Sequence, residues 1–173
     1  MVAKNYKQKM VSSPCRNALF ICFGFFFIMT SYIASIYLKH EERQHLTPVS
    51  TTENNQNIVT LHSHNQHYVT YATINGHRVK CLIDTGASNV SVPINIAKSI
   101  GLSRGRGFYA STENGDIKVY QTMIRQLQIG NIILENIEGS INPSMHDDYV
   151  LIGMSALKHL DMLKVDNTLT LKQ

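Results

Sequence analysis

An aspartate that follows an apolar strand is the residue of this sequence with the clearest chemical potential. The apolar run 81–83 leads directly into Asp84, and Thr85 and Gly86 follow at once. A carboxylate at the end of a buried strand is costly unless it is hydrogen-bonded or shares a proton with another group. Gly86 allows a sharp turn and the close approach of another backbone, and Thr85 and Ser88 supply hydroxyl donors. The pattern therefore predicts an acid–base carboxylate held in a tight turn.

Three other polar groups each have a binding interpretation and a structural one. The spacing of His62, His64 and His67 would allow metal ligation, and the simpler interpretation is a solvated junction between a tether and a domain. Residues 146–148, His-Asp-Asp, could bind a cation or could simply form a loop. Residues 104–107, Arg-Gly-Arg-Gly, could bind phosphate or could form a solvated turn. We favour the structural interpretation in each case and predict no metal and no cofactor.

The elements that must hold Asp84 in place are mostly β-hairpins. Asn75-Gly76 is a favoured two-residue hairpin turn, and it joins predicted strands at 68–74 and 77–83. Three further hairpins are expected, with turns at 113–115 (arms 107–112 and 116–129), at 130–131 (leading into 132–141) and at 166–167 (arms 162–165 and 168–171). Pro93–Ile100 and Gly153–Leu160 are predicted as short helices. The sequence thus predicts a small, mostly antiparallel β barrel or sandwich with one or two short helices.

This arrangement resembles the retropepsin-like aspartic proteases, single-lobe relatives of the retroviral proteases. The similarity covers roughly residues 68–171 and rests on four features. They are the apolar-apolar-Asp-Thr-Gly-Ala-Ser element at 82–88, the Asn75-Gly76 hairpin before it, a hairpin tip at Asn114-Gly115 where the family has its flap, and the Val150-Leu151-Ile152-Gly153 element that packs behind the catalytic turn in the family. The resemblance implies an all-β fold, a closed single-lobe barrel, and the activity of an aspartic-type endopeptidase.

The resemblance also implies roles for individual residues. Asp84 would be the catalytic acid and base, Thr85 would link two such turns across a dimer axis, and Gly86 would contact the substrate backbone. The other substrate-binding or supporting positions would be Ala87, Ser88, Asn114, Gly115, Ile152 and Gly153.

A second copy of the chain is expected, because aspartic proteolysis uses two carboxylates that share one proton. Asp84 is followed by Thr-Gly, and the other aspartates of the folded region lack a following Thr-Gly or Ser-Gly: Asp116, Asp147, Asp148, Asp161 and Asp166. We therefore predict a two-fold homodimer with both copies of Asp84 at the axis. Its peptide or protein substrate would bind extended, as an added strand under the 107–120 hairpin.

Two positions depart from the retroviral pattern. Retroviral enzymes usually have an aspartate where Ser88 stands and an arginine where Met154 stands, and those charges pair and brace the dimer. Ser88 and Met154 cannot form that ion pair, so we expect dimer strength and recognition of the substrate backbone to differ here.

Residues 18–38 predict a membrane anchor, as in the membrane-tethered bacterial members of the family that this chain looks like. These 21 residues carry no charge and are long enough to span a bilayer as a helix. A cleaved signal peptide is the alternative, but its apolar region is usually about 7–15 residues. Residues 1–17 carry four basic residues and no acidic ones. The positive-inside rule then leaves them in the cytoplasm and puts the rest of the chain on the far, periplasmic or extracytoplasmic, side.

The composition of residues 39–173 predicts a linker followed by one folded domain. Residues 39–57 are polar and predict a flexible linker, which leaves 58–173 as the folded domain.

The distribution of charge argues against nucleic acid as a partner. The chain has 16 Lys and Arg against 12 Asp and Glu, and four of the basic residues lie in 1–17. The rest is balanced, so no basic groove is expected.

Two other functional classes compete with a protease. A non-catalytic, membrane-tethered peptide-binding module would use the same fold, although it has no physical need for a buried aspartate. A phosphotransferase with an aspartate nucleophile would need a parallel α/β pattern and a lysine or second aspartate soon after Asp84, and the sequence has neither.

Overall fold

The computed structural model describes residues 14–112 and 115–173 and divides the chain into two units, 1–43 and 44–173. Helix α1, Pro14–His45, contains the predicted anchor, and the side chains of residues 23–38 are exposed. Within the described ranges, none of the helices combines the length and the apolar character that crossing a membrane requires. The anchor therefore stays a prediction, and residues 1–13 of the predicted cytoplasmic segment lie outside the described part.

The second unit is built almost entirely of strands. Their bounds are β1 Val49–Glu53, β2 Gln56–His62, β3 Tyr68–Ile74, β4 His77–Ile83, β5 Val90–Pro93, β6 Gly107–Thr112, β7 Gly115–Ile129, β8 Ile132–Asn142, β9 Tyr149–Ile152, β10 Asp161–Val165 and β11 Thr168–Lys172. The two short helices predicted from the sequence are present as α2, Ile94–Ser99, and α3, Met154–Leu157.

Six of these strands close into a barrel. The hydrogen-bonded order is β3-β4-β9-β5-β8-β7, and β3 returns to β7 through Thr73 opposite Gln128 and Ile74 opposite Leu127. Burial alternates along β3, so that one face fills the interior. Strand β6 pairs with β7 and lies outside this ring. The expected all-β closed barrel is confirmed.

The turn chemistry explains why these hairpins form where they do. Asn75 and Gly76 both have positive φ, 49° and 87°, as a two-residue turn that matches strand twist requires. The Asn75 amide N–H donates to the Gln126 carbonyl at 2.9 Å, and its side-chain oxygen accepts from the Gln126 N–H at 3.1 Å. The first hairpin is thereby tied to β7, where the barrel closes.

The segment predicted as a flexible linker, 39–57, has regular structure instead. Its first residues end α1, and β1 and the start of β2 pair as a hairpin within a second sheet of order β1-β2-β11-β10. The prediction weighed apolar burial alone, whereas polar strands are stabilised here by backbone pairing. Asn131 adds a cross-link, because its Nδ2 donates to the Thr51 carbonyl at 2.7 Å. The folded domain thus begins before residue 58.

The interior of the barrel is mostly apolar and includes Cys81. Its side chain is fully buried, and burial raises the pKa of its thiol to about 12. Cys81 is therefore a packing residue, since a thiol needs to ionise to act as a nucleophile or ligand.

Candidate active site

Asp84 lies at the end of β4, in the turn between two strands of the barrel wall. Its amide N–H donates to the Ile152 carbonyl at 3.0 Å, continuing the parallel pairing of β4 with β9. One carboxylate oxygen, Oδ1, accepts the Gly86 N–H at 2.9 Å. The half-buried carboxylate is thus fixed by its own turn, which a chemically active group requires.

The residues beside Asp84 differ in exposure. Thr85, Gly86 and Ser88 are exposed, whereas Ala87 is half-buried. The turn therefore presents backbone and small side chains to its surroundings, and the body of the turn packs inward.

The Val150–Gly153 element lies directly behind this turn, as the resemblance implies. The Met154 N–H donates to the Ala87 carbonyl at 2.8 Å, and the Ser155 N–H donates to the Ser88 carbonyl at 2.9 Å. A Cβ on Gly153 would lie 2.5 Å from the carbonyl oxygen of Ala87. Glycine is required here because two backbones meet at a distance that leaves no space for a side chain.

Ser155 is a supporting residue that the sequence analysis did not single out. It is buried, its Oγ accepts the Val90 N–H at 3.0 Å, and the same hydroxyl donates to the Glu138 carbonyl at 2.7 Å. One side chain thereby joins α3 to β5 and β8. The sequence feature that could have indicated this role is a small polar residue, two positions after Gly153, in an otherwise apolar segment.

The predicted flap is an antiparallel hairpin of β6 and β7, paired from Gly107 opposite Tyr120 to Thr112 opposite Gly115. Gly115 has φ +104°, a conformation that side chains rarely adopt. Asn114, predicted at the tip, lies outside the described residues.

Tyr149 is a second residue that the sequence analysis did not name. Burial, followed by the negative charges of Asp147, Asp148 and Asp84, raises the pKa of its hydroxyl above the ordinary value. The hydroxyl of Tyr149 therefore stays a neutral donor through the physiological pH range. The adjoining residues 143–148 form a loop, as the simpler interpretation predicted, and Lys80 Nζ lies 3.6 Å from Asp148 Oδ2.

The three histidines lie at the junction of β2 and β3. His64 and His67 pair through their backbones, and their side chains and that of His62 are exposed. Among residues 14–112 and 115–173, no group of three or more His, Cys, Asp or Glu side chains is placed to hold a metal ion.

Comparison with known proteins decides the family. Residues 70–159, just over half of the chain, match the family model described as gag-polyprotein putative aspartyl protease. The chain belongs to this family. The matched range contains the Asp84 turn, the β6–β7 hairpin and the Val150–Gly153 element.

Two curated relatives carry similar sequences. An uncharacterised protein in the cobV 5′ region of Sinorhizobium sp. is 33% identical over 122 residues, which are 69% of this chain and 52% of that protein. The uncharacterised protein RP867 of Rickettsia prowazekii (strain Madrid E) is 27% identical over 115 residues, 65% of this chain and 49% of that protein. The chain therefore spans about half the length of the curated relatives it matches.

A solved structure shares the fold. The retropepsin-like aspartic protease of Rickettsia conorii superimposes with a TM-score of 0.59 at 23% identity, covering 70% of this chain and 94% of that one. The resemblance to the retropepsin-like fold is confirmed.

Proposed function

We propose that this chain is an aspartic endopeptidase in which Asp84 acts together with Asp84 of a second copy. The observation that carries the proposal is the half-buried Asp84 carboxylate, held by the Gly86 N–H at 2.9 Å in a turn that exposes Thr85 and Gly86. The family supports the same reaction class.

The reaction needs the two carboxylates to differ in protonation. One, ionised, takes a proton from water as the water attacks the peptide carbonyl, and the other, protonated, donates a hydrogen bond to the carbonyl oxygen. Close carboxylates cannot both ionise easily, so the pair holds one proton and titrates as a unit. No metal or organic cofactor takes part in these steps.

The second carboxylate comes from a homodimer in this proposal. Thr85 and Gly86 are exposed in the single chain, which leaves the turn free to meet its twin. Strand β10 supports association as well, because it is an edge strand among the strands that the structure describes and exposes Met162, Leu163 and Val165 by 38%, 54% and 54%. An exposed apolar edge strand is a template for pairing with another chain.

The substrate in this proposal is an extended peptide between the Asp84 turn and the β6–β7 hairpin. A strand-like peptide would gain main-chain hydrogen bonds there, and closure of the hairpin would exclude water from the reaction.

Cleavage of a peptide library by the full-length protein, wild type against Asp84→Asn, tests the proposal. We expect Asp84→Asn to abolish cleavage, because the amide cannot take the proton from water, while the circular dichroism spectrum is unchanged. Asp166→Asn is the matched control, since Asp166 is exposed in the β10–β11 turn and asparagine tolerates its positive φ of 50°.

Retained cleavage by Asp84→Asn would overturn the mechanism. A wild-type dimer that binds peptides without cutting any would instead favour the non-catalytic binding module.

Membrane attachment through residues 18–38 is a separate proposal. It is supported by 21 uncharged residues and by the basic segment 1–17. We expect the full-length protein to stay with membranes after carbonate extraction, with residues 44–173 open to protease from the far side. Release by carbonate would contradict the anchor without touching the proposal for Asp84.

A further inference from the structure

A small cavity lies between the catalytic turn and the base of the flap hairpin. Its volume is about 240 Å³, and it is lined by Asn89, Arg106, Phe108, Gln121, Glu138 and Gly139. This is below the roughly 300–1,000 Å³ of clefts that hold drug-sized ligands. A space of this size suits one side chain of a bound peptide.

Backbone hydrogen bonds hold the strands that border the cavity. Asn89 ends the catalytic turn, and the next residue, Val90, pairs in parallel with Gly139 of β8. The Gln121 N–H donates to the Arg106 carbonyl at 2.9 Å. The cavity is therefore held by the same strands that hold Asp84 and the flap.

Gly139 lines the cavity at a point where neighbouring strands are close together. Gly139 is buried, and a Cβ on it would lie 3.0 Å from the Val90 carbonyl oxygen. The same Cβ would lie 3.3 Å from Ile124 Cδ1 and 3.4 Å from Thr122 Cγ2, so glycine allows β5, β7 and β8 to pack closely beside the cavity.

The walls carry opposite charges. Arg106 and Glu138 both line the cavity with exposed side chains, and in the described part of the chain neither side chain forms a hydrogen bond or ion pair. Asn89 and Gln121 add amide groups, each with donors and an acceptor. The lining thus offers a cationic donor and an anionic acceptor to the same guest.

We propose that this cavity is a specificity pocket for a carboxamide side chain, glutamine or asparagine, of the peptide substrate. A carboxamide both donates and accepts hydrogen bonds, so it satisfies Glu138 and Arg106 together. A substrate lysine would be repelled by the positive charge of Arg106, and a substrate glutamate would be repelled by the negative charge of Glu138. A leucine would displace water from both side chains without offering either a hydrogen bond. This inference rests on the proposed function, because it assumes that the peptide lies between turn and flap.

Peptides that differ at one position test the pocket. Each position of a cleaved peptide is occupied in turn by Gln, Glu, Lys or Leu, and kcat/KM is measured with the full-length protein. We expect one position at which the Gln peptide is preferred by about tenfold, the factor that one hydrogen bond to a charged group supplies. A preference for Leu at every position would overturn the inference.

Reversing the charge of either Arg106 or Glu138 gives a second test, because the two changes should shift the preferred substrate residue in opposite directions. Glu138→Lys leaves two cationic walls and should move the preference at that position from Gln to Glu, whereas Arg106→Glu should move it to Lys. Glu138 holds Ser155 through its backbone carbonyl, so the hydrogen bond behind the turn survives substitution. Glu135→Lys and Arg125→Glu are matched controls on β8 and β7, because they are exposed and do not line the cavity.

Unchanged preferences in both wall variants, with cleavage intact, would overturn the pocket and leave the peptidase standing. If the wild type cuts nothing, a peptide that it binds is selected from the library instead, and fluorescence polarisation of the same four substitutions at each position decides the pocket. The Gln peptide should then bind most tightly, with the same shifts in the wall variants, and equal binding of all four peptides would overturn the inference.

Discussion

At the scale of single residues, the Asp84 turn is held by backbone contacts to the strand behind it. The carboxylate accepts from Gly86, while the carbonyls of Ala87 and Ser88 accept from the residues that follow Gly153. These bonds fix where the carboxylate lies without occupying its second oxygen. Ser155 completes the arrangement from inside, where water cannot replace its hydroxyl.

Ser155→Ala should lower the free energy of unfolding by about 1–3 kcal/mol, because the buried Val90 N–H loses its acceptor. Urea unfolding followed by tyrosine fluorescence measures the change, since the chain has no tryptophan. Ser99→Ala is the control, because Ser99 is exposed and bonds within α2, and it should change stability by no more than about 0.5 kcal/mol. Equal effects of the two substitutions would remove the supporting role of Ser155.

At the scale of elements, the second sheet attaches the two ends of the folded unit to each other. Strand β2 pairs with β11 over five residue pairs, from His62 opposite Thr168 to Ile58 opposite Lys172. Beyond them, Asn57 and Gln173 exchange backbone hydrogen bonds of 3.1 Å and 3.0 Å. Strand β1 then covers the outer edge of β2.

A fragment that starts at residue 58 should be less stable than one that starts at 44. It lacks β1 and the Asn57 bonds to Gln173, and it turns β2 into an exposed edge that favours aggregation. The two lost bonds contribute about 1 kcal/mol each, and each kcal/mol lowers the melting temperature of a small domain by about 4–8 °C. Equal melting temperatures of residues 44–173 and 58–173 would show that β1 adds nothing to the fold.

At the scale of the whole molecule, one chain supplies half of the chemistry that the proposal requires. Each copy brings one Asp-Thr-Gly turn, and attachment of both copies to one membrane would raise their effective concentration. Since Ser88 and Met154 stand where retroviral enzymes carry paired charges, we expect association to depend on concentration.

Mixing wild type with Asp84→Asn tests whether both copies contribute. After equal amounts are unfolded and refolded together, random pairing leaves about a quarter of the dimers with two Asp84 carboxylates. We expect about a quarter of the activity of an all-wild-type sample at the same total concentration, and a mixture with Asp166→Asn should keep full activity. Half of the activity would mean that each chain works alone.

The sequence by itself determined the local features: the Asp84 turn, the Asn75-Gly76 hairpin, the short helices and the four-part resemblance to the retropepsin-like family. Such features can be predicted because the conformation of a turn and the alternation of a strand are set by residues that are adjacent in the sequence. Only the tertiary structure decided what lies together from distant parts of the chain: the pairing of β2, flanked by β1, with the C-terminal strand β11, and the Ser155 link from α3 to β5 and β8. Backbone pairing of polar strands and contacts between distant residues leave no periodic pattern, because they depend on which surfaces the closed barrel brings into register.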